Sequence, residues 1–78
     1  MNKDQFESKW KQIRSQTTAW WSLMSDSDLE KVDKSAIKFD KYITLLQVKY
    51  GYTRQQAKTE LGVRVAEYES AQEENLHE

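Results

Sequence analysis

Lys49-Tyr50-Gly51-Tyr52-Thr53-Arg54-Gln55-Gln56-Ala57 is the stretch that decides the fold, because one helix ends and the next begins within it. Gly51 can adopt the left-handed conformation that closes a helix after Tyr50. Thr53 can then cap the amides of a new helix, with Gln56 three residues later completing a capping box. A junction this short predicts that the two helices pack against each other.

Further helices are predicted on both sides of this junction, since the chain contains no proline and only two glycines. Apolar residues at spacings of three and four predict a first helix over about residues 3 to 23, capped by Asn2. Ser25 predicts the start of a second helix, with Asp26 and Asp28 in a first turn where the helix dipole favours negative charge.

The middle and the end of the chain also follow a helical pattern. The second helix is expected to be short, from Asp26 to about Lys31, and a break is expected at Asp33-Lys34-Ser35. The third helix should end at Tyr50, and its apolar stripe consists of Ala36, Phe39, Ile43, Leu46 and Tyr50. A fourth helix is expected from Arg54 to around Ser70, although Gly62 inside it costs about 1 kcal/mol relative to alanine. The sequence therefore predicts an all-α fold.

Composition limits what the chain can be. It has 78 residues, nine aromatic residues and no cysteine. A chain of this length buries only about 60% of the surface that its unfolded form exposes, so one small domain without a deep active site is expected. The lack of cysteine fits a reducing compartment. The N-terminus lacks the apolar core of a signal peptide, and no stretch approaches the roughly 20 apolar residues of a membrane span, so we expect a cytoplasmic protein.

Charge is unevenly distributed, although the net charge is only −1. Residues 1–64 carry all 12 basic groups and a net charge of +4, whereas residues 65–78 carry no basic group and a net charge of −5. We expect a domain over residues 1–70 and an acidic, frayed tail over residues 71–78. The simpler interpretation of the tail is a solvated terminus. The alternative is that it screens a basic surface from anionic partners.

Three segments carry a recognisable pattern over about residues 1 to 61. They consist of Met1-Asn2-Lys3-Asp4-Gln5-Phe6 leading to Lys9-Trp10-Lys11-Gln12-Ile13, Trp21 with the turn Ser25-Asp26-Ser27-Asp28-Leu29, and Tyr50-Gly51-Tyr52-Thr53-Arg54-Gln55-Gln56-Ala57 with Glu60-Leu61. Taken together, they resemble the CsbD-like family of small bacterial stress-associated proteins. The chain also departs from the family pattern. Serines stand at positions 8, 15 and 22, where family members usually carry glycine, and the stretch from Asp33 to Lys38 does not match.

The resemblance implies a compact bundle of four or five short helices arranged as two packed hairpins, with residues 1–70 as a single CsbD-like domain. It also implies an association with general stress responses, and it implies no known catalytic residue or cofactor. The residues that carry the structural signature are Trp10, Trp21, Ser25, Asp28, Tyr50, Gly51, Thr53 and Gln56.

The inventory for catalysis or metal binding is poor. His77 is the only histidine, and next to the C-terminal residue we expect an exposed imidazole without function. Asp26, Asp28 and Glu30 follow part of a calcium-loop spacing, but the later glycine and the bidentate glutamate are missing. Compensation of the helix dipole explains these acidic residues better. We therefore predict no enzyme, no metal and no cofactor.

Trp20 and Trp21 are the most interesting pair, because adjacent helical positions point about 100° apart and a narrow core stripe cannot receive both rings. Trp21 falls on the family's tryptophan position and is assigned to the core. Trp20 is the candidate anchor for a protein partner, with Lys11 or Arg14 at its rim. The alternative is that Trp20 covers the edge of the core or packs under the C-terminal extension. A monomer or a weak homodimer is expected.

Lys34, Lys38 and Lys41 form a predicted basic stripe on the third helix, and Lys3, Lys11 and Arg14 form another on the first. Weak, non-specific phosphate binding through the stripe on the third helix is the alternative function. Acidic residues lie beside these lysines, and no recognition-helix motif is present. A solvated helix face is therefore the favoured interpretation, and the sequence disfavours nucleic acid as the partner.

Overall fold

Four α-helices form the structure, and residues 1–76, which the computed structural model describes, contain no strand. The helices are α1 (Lys3–Trp20), α2 (Asp26–Asp33), α3 (Lys38–Tyr50) and α4 (Arg54–Leu76). The chain turns back after α1 and again at the junction after α3. The result is an all-α bundle of two helical hairpins, which confirms the predicted fold class.

Side chains cap three of the four helix starts. At α1, the Gln5 amide donates to the Asn2 side chain over 2.9 Å, and the Asn2 amide donates to the Gln5 side chain over 3.0 Å. Thr53 and Gln56 form the same reciprocal box before α4, with bonds of 2.9 and 3.0 Å. Ser25 forms a box with an aspartate at α2, whereas Ile37 gives α3 no side-chain cap.

The junction at Gly51 is confirmed in its geometry. Gly51 has φ 71° and ψ 19°, in the left-handed region, and its amide donates to the Gln47 carbonyl over 2.9 Å. Because L side chains disfavour this conformation, glycine allows α3 to end here at little cost. Only Tyr52 and Thr53 then separate Gly51 from the first residue of α4.

The first helix is shorter than predicted. It ends at Trp20, and Trp21 is extended, with φ −137° and ψ 97°, so the prediction that the helix continues to residue 23 is wrong. The change of backbone direction turns the Trp21 ring into the core, where it is 3% exposed. The end of the helix thus separates two adjacent rings that one helical stripe could not both bury. Met24 is fully buried from the following turn and not from α1.

The other helix boundaries differ in smaller ways. The break between α2 and α3 is confirmed, but α3 begins at Lys38, so Ala36 lies before the helix and is exposed rather than part of its apolar stripe. The fourth helix continues to Leu76, beyond the predicted end near Ser70, because residues 70–76 include neither proline nor glycine. Fraying of the tail stays a prediction, and its residues 77–78 lie outside the described residues.

The core is centred on α3, which packs against the other three helices. The Phe6 ring lies 5.4 Å from Phe39 and 5.2 Å from Tyr42, and Trp10 approaches Tyr42 edge-on at 5.9 Å. From α4, Ala57 and Leu61 are fully buried. Burying a large apolar side chain contributes about 1.5–3 kcal/mol, so these contacts supply the main stabilisation of a chain without disulfides.

Candidate functional site

A fully buried pair of hydroxyl groups joins α1 to α3. Thr17 donates to the Ile13 carbonyl over 2.7 Å, and its oxygen lies 2.8 Å from the Tyr42 hydroxyl. Since the single hydroxyl proton of Thr17 is used on Ile13, Tyr42 is the donor in the second bond. Burial raises the pKa of Tyr42 well above its ordinary value, so its hydroxyl stays protonated. This pair is a structural bond between helices.

Asp28 is the buried carboxylate of the bundle. The Lys49 Nζ lies 2.8 Å from its Oδ2, which also accepts from the Ser25 amide at 3.0 Å and the Ser25 hydroxyl at 3.1 Å. Burial raises the pKa of the Asp28 carboxyl, but the bonds from Lys49 and Ser25 outweigh it, and the pKa lies below the ordinary value of 3.8. Asp28 therefore caps α2 and joins it to the end of α3.

Asp33 links α1 and α2. Its carboxylate accepts the indole N–H of Trp10 over 2.7 Å and the Nε–H of Arg14 over 3.1 Å. The bond from Trp10 holds the pKa of Asp33 below its ordinary value, and the guanidinium of Arg14 acts in the same direction. Sequence reasoning missed this bond, because no local pattern connects a tryptophan to an aspartate 23 residues away.

Among the described residues, no three His, Cys, Asp or Glu side chains are placed to share a metal ion. Asp26, Asp28 and Glu30 formed the candidate acidic group. Asp28 is buried and paired with Lys49, whereas Asp26 and Glu30 are exposed. His77 lies outside the described residues. Every buried side-chain nitrogen or oxygen in the described part has a hydrogen-bond partner.

A groove between α1 and α4 has a volume of about 360 Å³. Its floor is formed by Gly62, Val65 and Ala66, and the charged residues at its wall are Lys9 and Glu69. These two form an ion pair of 2.6 Å, so neither charge is free to act on a small molecule.

Trp20 is half-buried at the end of α1 and packs against the core. Its ring meets Trp21 at 6.1 Å and Tyr68 of α4 at 6.2 Å, both in an edge-on arrangement. Part of the ring therefore covers the core under α4, which is the alternative that the sequence left open, and part stays accessible.

The predicted basic rim of Trp20 is not formed. Successive residues of an α-helix turn by about 100°, so Lys11 lies about 180° and Arg14 about 120° around α1 from Trp20. Arg14 is also occupied by Asp33. The three residues are therefore on different sides of α1 and cannot form one binding patch.

Leu23, three residues after Trp20, contacts a second pair of aromatic side chains at the Gly51 junction. The Leu23 amide donates to the Tyr50 hydroxyl over 2.9 Å, and the Tyr50 ring stacks on Tyr52 at 5.7 Å and 17°. Leu23 is 54% exposed, and the tyrosines are half-buried. We call the set Trp20, Leu23, Tyr50, Tyr52 and Tyr68 the aromatic edge. The sequence indicated Trp20 but not the other members of the aromatic edge, which come from three different segments.

The predicted lysine stripe on the third helix is also rearranged. Lys34 follows the last residue of α2, and Lys38 is the first residue of α3. With Lys41 they therefore do not lie along one helix. Lys38 instead approaches Glu7 of α1, with 3.8 Å between Nζ and Oε1. Lys38 therefore lies beside α1, and Lys34 directly follows Asp33, which binds Arg14 of α1.

Comparisons with known proteins place the chain among bacterial relatives. UPF0337 protein pc0632 of Protochlamydia amoebophila (strain UWE25) is 35% identical over 60 residues, which cover 77% of this chain and 86% of that protein. UPF0337 protein ECA0631 of Pectobacterium atrosepticum is 33% identical over 61 residues, or 78% of this chain and 84% of that protein. UPF0337 protein YjbJ of Escherichia coli (strain K12) is 31% identical over 61 residues, with the same coverage.

No family model and no solved structure matches the chain. The names of the relatives specify no activity, substrate or partner. None of the helices that the structure describes is both long and apolar enough to cross a membrane. The identity and the coverage of the relatives are sufficient to show kinship, and they agree with the segments of resemblance in the sequence. The chain therefore belongs, as a divergent member, to the UPF0337 (CsbD-like) family.

Proposed function

We propose that this bacterial protein is a cytoplasmic, non-enzymatic interaction module of the stress response, and that it binds a protein partner through the aromatic edge. The observation that carries the proposal is that Trp20 packs on Tyr68 and stays partly accessible, while Leu23, three residues later, is 54% exposed and bound to Tyr50. The stress association rests on the resemblance to CsbD-like proteins.

The chemistry of the edge fits protein recognition. Tryptophan and tyrosine are the side chains that most often dominate the binding energy of protein interfaces, since they bury a large area and lose little rotamer freedom. The Trp20 ring is held by Tyr68, and the Tyr50 ring by Tyr52 and the Leu23 amide. A partner would therefore meet side chains that are already positioned, which lowers the entropy cost of association.

The perturbed groups support a non-enzymatic role. Shifted pKa values mark catalytic groups when they lie in a cleft, but they also arise in structural networks. Here the shifts of Asp28, Asp33 and Tyr42 follow from burial and from bonds that join helices. No reaction is needed to explain the environment of any of the three side chains.

Co-purification with matched variants tests the proposal. Leu23→Glu places a charge on the edge, and Val63→Glu places the same charge on a similar side chain, 48% exposed against 54% for Leu23. Val63 lies about 140° around α4 from Tyr68, away from the edge. We expect Leu23→Glu to lose a partner that wild type and Val63→Glu retain, with stressed and unstressed cells compared. Equal recovery by both variants would exclude the aromatic edge as the binding surface.

A further inference from the structure

Ion pairs fix how one side of α1 faces the start of α3 and the end of α2. Glu7, Lys11 and Arg14 follow each other at spacings of four and three, so they lie along the same side of the helix. Glu7 meets Lys38 at the first position of α3, and Arg14 meets Asp33 at the last position of α2. The segment that connects α2 to α3 is therefore held alongside the middle of this side.

Lys11 lies on α1 between these two contacts, and the connecting segment, which begins with Lys34, runs from one contact to the other. Both lysines are exposed, and neither has an ion-pair partner within the part of the chain that the structure describes. Together with Arg14 and Lys38 they form what we call the basic seam. Glu7 and Asp33 each pair with one of these four cations, so two positive charges have no ion-pair partner among the described residues.

We propose that the basic seam binds the phosphodiester backbone of nucleic acid without reading its bases. Lys11 and Lys34 supply the uncompensated charges, and Lys38, whose contact with Glu7 is long at 3.8 Å, can exchange it for a phosphate. The side of α1 from Glu7 to Arg14 spans about 10 Å, which is long enough to contact neighbouring phosphates of one strand.

The composition of the seam favours nucleic acid over other anionic partners. An acidic protein is best recognised by free guanidinium groups that bind carboxylates in pairs, but Arg14 is already bound to Asp33. Firm binding to a membrane surface combines basic residues with several apolar side chains that insert, and the segment offers one, Ile37, at 46% exposure. The indole of Trp10 is buried beneath the seam, so it cannot stack on bases. The mode of binding that fits the seam best is therefore sequence-independent contact with phosphates.

The inference replaces the lysine stripe that the sequence suggested. That stripe placed Lys34, Lys38 and Lys41 on one helix, where neighbouring acidic residues weighed against binding. The fold instead joins two basic residues from α1 to two from the connecting region, and Lys41 makes no described ion pair with α1. The seam lies on the side of α1 opposite Trp20, so it is separate from the aromatic edge and does not depend on the proposed function.

Fluorescence anisotropy with a labelled, single-stranded oligothymidylate of 20 nucleotides tests the inference at 50 and 200 mM salt. The variants are Lys11→Gln, Lys34→Gln and the double variant, and the matched control is Lys58→Gln, an exposed lysine of α4. We expect each seam variant to weaken binding several-fold at 50 mM salt. The double variant should reduce the salt slope by about 1.4, because two contacts with single-stranded DNA contribute about 0.7 each. The control should bind like wild type.

Three results would overturn the inference. The first is no binding by wild type at 50 mM salt, and the second is equal loss in Lys58→Gln and in the seam variants, which would reflect overall charge alone. The third is tighter binding of wild type to phosphatidylglycerol vesicles or polyglutamate than to the oligonucleotide, which would assign the seam to a different class of partner. Circular dichroism of each variant confirms that the helices are intact, as expected for exposed side chains.

Discussion

The indole N–H of Trp10 donates a 2.7 Å hydrogen bond to the carboxylate of Asp33, so a core ring of α1 is fixed by the last residue of α2. Trp10 is 6% exposed, and its N–H has no other acceptor among the described contacts. Arg14 binds the same carboxylate from the outside. The first hairpin is therefore closed by one acidic side chain, and its loss would leave a buried donor without a partner.

Replacement of Asp33 should separate these two contributions. Asp33→Ala removes the acceptor of Trp10 and the partner of Arg14, whereas Asp33→Asn keeps an oxygen that can accept from the indole. We expect both variants to unfold at lower urea concentration than wild type, and Asp33→Ala at the lowest. Glu60→Ala, an exposed residue without a described partner, is the control and should leave the midpoint unchanged. Equal midpoints for the two Asp33 variants would contradict a dominant role of the indole bond.

Acid should destabilise the fold through Asp28 and Asp33. The pKa values of both carboxyls are lowered from 3.8 in the folded state, so the native state holds fewer protons than the unfolded state near that pH. Their contribution to the free energy of unfolding is complete at neutral pH, where both carboxyls are ionised in the folded and the unfolded state. It is lost as the pH falls below about 3.8 through the folded pKa values. Urea titrations from pH 7 to pH 2 should therefore show less acid dependence in Asp28→Asn than in wild type. An unchanged acid dependence would show that Asp28 does not form a stabilising ion pair with Lys49.

The two glycines should respond in opposite ways to alanine. Gly51→Ala forces a side chain into the left-handed conformation at φ 71° and should destabilise the fold by about 1–2 kcal/mol. Gly62→Ala lies inside α4, where a Cβ would meet no atom within 4 Å, and should stabilise by about 0.5–1 kcal/mol. Urea denaturation measures both. The same sign for the two substitutions would refute the assignment of Gly51 as the helix end.

The buried hydroxyl pair should show an asymmetric response. Thr17→Val removes the acceptor of the Tyr42 hydroxyl and leaves it buried and unpaired, which costs about 1–3 kcal/mol. Tyr42→Phe leaves Thr17 bonded to the Ile13 carbonyl and should cost about 1 kcal/mol. In the double variant the two costs should sum to more than the measured loss. Additive costs would show that the hydroxyls do not interact.

Local signals in the sequence were sufficient for most of the secondary structure. Asn2, Ser25 and Thr53 start helices through side chains that bond to amides three residues on, and Gly51 ends one through its own backbone. The end of α1 has no such marker. It is set by the burial of Trp21 and by contacts made after the chain has folded back, which no short segment encodes.

The surfaces were harder to predict for the same reason. Trp20 was singled out as a side chain at the limit of the core, where the structure places it. The other members of the aromatic edge were missed, because Leu23 and Tyr50 are joined by a bond across 27 residues. Helical periodicity alone would have shown that Lys11 lies opposite Trp20. The contacts of Asp33 with Arg14 and of Lys38 with Glu7 depend on the path of the segment after α2, which lacks the pattern of a known motif.

Photo-crosslinking in cells tests the central claim most directly. A photoreactive amino acid is placed at position 23, on the aromatic edge, or at position 63, which has similar exposure on another side of the bundle. We predict a discrete crosslinked product with one protein partner from position 23, and none from position 63, with the product lost when Trp20→Ala is added and Tyr68 is left intact. The same product from both positions, or no product from position 23 under any growth condition, would contradict the account.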